Sequence, residues 1–75
     1  MQENKLSIKN ISYSVTDKDL EELFSNYGRV KKIDLIVGKD CGYIEMSNSF
    51  EAKKAKESLD GFYFKGSPLK IELVY

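Results

Sequence analysis

Leu6 and Ile8 alternate with Ser7 and Lys9, a period of two that predicts a half-buried strand ending near Asn10. Ile11 to Val15 reads as a connecting loop. Thr16 is then placed to cap a helix, with Asp19 three positions on as the reciprocal partner of a capping box. Asp17, Asp19, Glu21 and Glu22 fall in its first turns, where the positive end of the helix dipole favours carboxylates. Leu20, Leu23 and Phe24 recur at helical spacing as an apolar stripe with Tyr27 at its edge. Gly28 follows as a predicted left-handed helix stop.

A second strand is predicted from Val30 to Val37, with Ile33, Leu35 and Val37 facing inward and Lys32, Asp34 and Ile36 outward. Gly38-Lys39-Asp40 reads as a tight turn into a third strand, Cys41 to Met46, so these two strands should form an antiparallel hairpin. Asn48 or Ser49 caps a second helix, with Glu51 in its first turn. Phe50, Ala52, Ala55 and Leu59 are its expected buried stripe, and Asp60-Gly61 its end. Phe62 to Pro68 is a short loop or an extra hairpin, before a last strand in which Leu69, Ile71 and Leu73 alternate with Lys70, Glu72 and Val74. The order β-α-β-β-α-β predicts a ferredoxin-like α+β fold. Both helices should cover one face of a four-stranded antiparallel sheet and leave the other open.

Seventy-five residues are enough for a single domain, expected to span 1–75, with a modest core. Hydrophobic residues make up 41% and charged residues 32%, an ordinary globular balance. No apolar run approaches the roughly 20 residues needed to cross a bilayer, and Met1 to Asn4 lacks signal-peptide character. The expected setting is intracellular: cytoplasmic, or nuclear in a eukaryote. Twelve basic and twelve acidic residues cancel, so any nucleic-acid binding must come from a local arrangement rather than a global field. Histidine is absent, which removes the commonest general base and metal ligand. The single cysteine, Cys41, has no partner for a disulfide or a zinc site. Neither enzymatic activity nor a metal or cofactor is expected.

Two segments carry a resemblance. Leu6-Ser7-Ile8-Lys9-Asn10-Ile11 and Lys39-Asp40-Cys41-Gly42-Tyr43-Ile44-Glu45-Met46 are similar to the two short motifs of the RNA-recognition motif family, and the helices between and after them match as well. The resemblance covers essentially the whole chain. It implies single-stranded RNA binding on the open sheet face, where rings on the central strands give unpaired bases a platform. By this likeness Tyr43 would stack a base, Lys39 would hold phosphate together with Lys9 and Lys70, and Asn10 would be structural. Ser7 and Cys41 stand where the family carries rings, so Ser7 would touch a base edge through its hydroxyl and affinity should be modest. Lys32 and Glu45 share the predicted face and complete the candidate contacts. Basic Lys9, Lys32 and Lys70 there oppose acidic Asp34, Glu45 and Glu72.

A second reading is an interaction module that keeps the same scaffold and binds a peptide or a second copy of itself. Phe62, Tyr63 and Phe64 cannot all point inward, so at least one ring should be exposed for a possible protein contact. An RNA-recognition motif subclass that binds tryptophan-bearing peptides carries Arg-x-Phe at about this place. Here Phe62 stands in place of the arginine, while Phe64 and the acidic first helix match. Outward Ile36 and Val74 would favour an apolar cover over the sheet. Cys41 beside Asp40 reads as a small filler rather than a reactive thiol, Lys53, Lys54 and Lys56 as a solvated helix face, and Met46 as core.

Overall fold

The computed structural model describes residues 4–36 and 38–74. Strand β1 (Lys5–Lys9) turns Leu6 and Ile8 inward, where both are fully buried. Helix α1 (Asp17–Phe24) starts on the expected capping box: the Asp19 amide donates to Thr16 Oγ1 at 3.2 Å, and the Thr16 amide donates to Asp19 Oδ2 at 2.9 Å. It buries Leu20 and Phe24. Strand β2 (Val30–Leu35) and strand β3 (Gly42–Met46) form the predicted hairpin, and β3 buries Ile44 and Met46. Asn48 caps helix α2 (Ser49–Leu59) by accepting the Glu51 amide at 2.8 Å. The extra hairpin also forms, from β4 (Tyr63–Phe64) and β5 (Ser67–Pro68). Its two-residue turn, Lys65-Gly66, takes positive φ at both positions, as a type I′ turn requires. Strand β6 (Lys70–Val74) closes the order.

The four long strands pair antiparallel in the order β2-β3-β1-β6. Leu20 and Phe24 of α1 and Ala52, Ala55 and Leu59 of α2 join Leu6, Ile8, Ile44, Met46 and Ile71 in one buried cluster. Both helices therefore lie on one face, and the small alanines let α2 sit close to the sheet. The fold is the ferredoxin-like one that the pattern predicted.

Five details depart from the pattern. Phe50 is not part of the buried stripe but 73% exposed. At 100° per residue it points about 180° away from Ala52, Ala55 and Leu59. Gly28 is not the helix stop. The helix ends at Phe24, Ser25 caps it in right-handed conformation, and Gly28 has no positive φ. Gly28 is instead needed for space, because a Cβ there would lie 2.5–2.6 Å from the Glu51 side chain. β2 ends at Leu35 rather than Val37, which falls outside the described residues, and Cys41 precedes β3 rather than opening it. Val74 on the open side is half-buried, not exposed.

Candidate nucleic-acid interface

Strand alternation sends every second residue to the uncovered face of the sheet. The register lines these residues up in rows across it. In one row Lys32 of β2 faces Glu45 of β3, which faces Lys5 of β1, which faces Val74 of β6. The next row runs Asp34, Tyr43, Ser7, Glu72. Beyond it Lys9 is paired directly with Lys70, and Cys41 lines a groove with both. Tyr43, Ser7, Lys9, Cys41, Lys70, Glu45 and Lys32 thus share one surface.

Tyr43 carries the only aromatic ring on this face among the described strand residues, and it is 36% exposed. Lys5 Nζ sits 5.1 Å from the ring centroid, a cation–π contact that contributes about 0.5–1 kcal/mol at an exposed site. Lys5, Lys32, Asp34, Tyr43 and Glu45 together line a small cup. Gly42 lies buried just before the tyrosine, and a Cβ on it would meet the Asp34 carbonyl oxygen at 2.8 Å. That glycine lets β2 pack close to β3 and so fixes the spacing between Tyr43 and Asp34.

The face is charged in a pattern rather than uniformly. Glu45 is surrounded by lysines: Lys5 and Lys32 face it in register, and Lys31 Nζ lies 3.7 Å from its Oε2. Lys31 gets there through a β-bulge, since the register shifts between Val30 and Lys32 and a bulge re-aims the extra residue. Asp34 and Glu72 flank the tyrosine row, and among the described residues neither carboxylate has an ion-pair or hydrogen-bond partner. Lys9 and Lys70 are like charges directly opposite, which is unfavourable without an anion between them.

Lys39 lies apart from the strand residues, at the tip of the β2–β3 hairpin. It lines a groove with Ile11, Tyr13, Val15 and Ile36 at one end of the sheet. Tyr13 there is the most exposed of the large hydrophobic side chains. Asn10 is structural: it takes φ 62°, and its Nδ2 donates to the Pro68 carbonyl at 2.8 Å. Of the aromatic run, Phe64 packs against the core, while Phe62 and Tyr63 are exposed at 43% and 70%. The Phe62 and Phe64 ring centroids are 6.3 Å apart. The sequence reading missed Lys5, Lys31 and Tyr13. Lys5 was legible, since it has the same strand parity as Ser7 and Lys9; the bulge that brings in Lys31 leaves no sequence signal.

Two carboxylates outside this face are held by hydrogen bonds. Glu51 Oε1 accepts from Ser47 Oγ at 2.6 Å and from the Arg29 amide at 2.9 Å, and these bonds hold its carboxyl below the usual range. Asp19 is lowered likewise, first by the Thr16 amide and then by Lys65, whose Nζ donates to it at 2.9 Å.

Two helices behind a four-stranded antiparallel sheet, with an exposed tyrosine and paired lysines on its open side, define a split β-α-β domain with a solvent-facing sheet. The chain belongs to the RNA recognition motif family, which matches residues 6–70. It is 36% identical over 70 residues to the putative RNA-binding protein RbpB of Nostoc, covering 85% of this chain and 68% of that protein. Among solved structures, the N-terminal RNA binding domain of a hypothetical protein superposes with a TM-score of 0.91 at 27% identity, covering 96% of this chain and 79% of that one. The C. elegans NONO-1 homodimer gives a TM-score of 0.90 at 25% identity, over 97% of this chain and 29% of that one.

Proposed function

We propose that this chain is a non-catalytic, single-domain RNA-binding module that takes single-stranded RNA on the open sheet face, in an intracellular setting. The observation that carries the reading is the exposed Tyr43 ring at the centre of that face, beside the like-charged pair Lys9 and Lys70. Family membership and the RNA-binding name of the Nostoc relative support it. Tyr43 stacks one base, and Ser7 beside it in register offers a hydroxyl to a second. Lys9 and Lys70 hold phosphate between them, which removes their mutual repulsion, and Lys39 takes phosphate at the hairpin tip. Lys32, Glu45 and Cys41 border the bound strand. One ring on the face among the described strand residues and zero net charge make the affinity modest, since each stacked base contributes about 1–3 kcal/mol.

The test is an amide NMR titration with a degenerate pool of short single-stranded RNA. Shifts clustering at Ser7, Lys9, Cys41, Tyr43 and Lys70 are expected. A spectrum unmoved at high RNA concentration would refute the reading and favour a protein partner. For that second reading the specific observations are the exposed Phe62 and Tyr63 beside Phe64 and the homodimeric assembly of the NONO-1 relative.

A further inference from the structure

The central row of the open face holds a contradiction for a polyanion site. The row that holds the stacking ring ends in a carboxylate at each side of the sheet, Asp34 next to Tyr43 and Glu72 beyond Ser7. Carboxylates repel phosphate, and among the described residues neither of these two is in an ion pair. Their position makes chemical sense if they face a base rather than the backbone. We infer that Asp34 and Glu72 select guanine as the base stacked on Tyr43.

The four bases differ in the edge they present to such a carboxylate. Once a base lies on the ring, its Watson–Crick edge is what a neighbouring side chain can read. An ionised carboxylate only accepts hydrogen bonds, and it does so best from two parallel N–H groups. Guanine presents N1–H and N2–H₂ side by side, which match both oxygens of one carboxylate. Adenine and cytosine each set an amino group beside an unprotonated ring nitrogen, whose lone pair repels the carboxylate. Uracil places its single N–H between two carbonyls. An edge turned toward β2 meets Asp34 directly, whereas one turned the other way passes Ser7 before it reaches Glu72. The spacing on the β2 side is fixed by Gly42, where the Asp34 carbonyl packs against the glycine.

The same charges direct the backbone. Asp34 and Glu72 disfavour phosphate in the central row, so phosphates fall to the rows on either side, at Lys9–Lys70 and at Lys5, Lys31 and Lys32, which together outnumber Glu45. The selection therefore rests on the stacking role proposed for Tyr43, and it adds an identity to the stacked base.

The test measures affinity by fluorescence anisotropy for U-rich octamers carrying one central G, inosine, A, C or U. The G oligomer should bind about tenfold more tightly than the U oligomer, the low end of discrimination by a bidentate contact. Inosine, which lacks the N2 amino group, should fall between them. Asp34→Asn and Glu72→Gln are surface changes, made singly and together. In the double variant G should lose affinity while U gains it through lost phosphate repulsion, closing the spread. Equal affinities for all five, a preference for A or C, or a G preference intact in the double variant would overturn the selection and leave RNA binding standing. Failure to bind any oligomer would overturn both.

Discussion

The two faces of the sheet are built from the same strands and follow opposite rules. On the covered face, Leu6, Ile8, Ile44, Met46 and Ile71 lose essentially all contact with solvent and meet one another across the strands. On the open face, the intervening residues are a tyrosine, a serine, lysines and carboxylates, and two of the cross-strand neighbours, Lys9 and Lys70, repel each other. Volume and shape decide on the first face, because protein interiors are filled to crystal-like density. Nothing in folding demands the like-charge pair or the exposed ring on the second. Stability should therefore answer to one set of alternate residues and ligand affinity to the other.

The sharpest way to break this division is to mutate neighbours in β3. Ile44→Ala should lower unfolding free energy by about 3 kcal/mol in urea titrations, as large-to-small changes in a closed core do. Tyr43→Ala, one residue away, removes a partly exposed ring and its contact with Lys5 and should cost only about 1 kcal/mol. Comparable losses for the two would show that the open face is a second core. Gly42→Ala tests the seam between the faces. A Cβ there has no room beside the Asp34 carbonyl and the Leu35 side chain, so the hairpin must shift, at a loss of about 1–3 kcal/mol.

On the ligand side the order reverses. Tyr43→Ala should weaken single-stranded RNA binding about tenfold or more if the ring carries a stacked base; unchanged affinity would remove the platform from the open face. Lys70→Ala should act more gently, by lowering the slope of log affinity against log salt by about one if it neutralises one phosphate. It should leave the fold as stable as before, or slightly more so, because it removes a like-charge pair.

This division also explains what could be read in advance. The covered face announced itself because burial imposes periodicity: Leu6 with Ile8, and Ile44 with Met46, fixed two strands and their inward sides. The Thr16–Asp19 box was legible for a similar reason, since capping is a local interaction between residues three apart. Gly28 was misread because its reason is tertiary; Glu51 reaches across from α2 into the space its missing side chain leaves. Phe50 was misread by hydrophobicity alone, against the helical angle that turns it outward. On the open face, motif likeness pointed to Tyr43 and Lys9, and the register puts both there. It missed Lys31, which a bulge brings to Glu45, and the cation–π contact of Lys5, which depends on a diagonal across strands.

The smallest effect separates the faces by pH. Glu51 and Asp19 both lie on the helical side, tying the start of β2 to α2 and the tip of the β4–β5 hairpin to α1. Hydrogen bonds to their ionised forms, from Ser47 and the Arg29 amide for Glu51 and from Thr16 and Lys65 for Asp19, lower both carboxyls relative to the unfolded chain. A lowered native pKa means that the unfolded state takes up a proton first as pH falls. The stabilisation is therefore complete above the ordinary carboxylate range and is lost as pH drops through the native values below it. Urea midpoints measured from neutral pH downward should stay level and then decline. Glu51→Gln and Asp19→Asn should start lower and decline less steeply, because the proton linkage is gone. Both groups are solvent-screened, so each variant should show only a modest change. Parallel curves for variant and wild type would mean that the hydrogen bonds around Glu51 and Asp19 do not distinguish the ionised carboxyl from the neutral one.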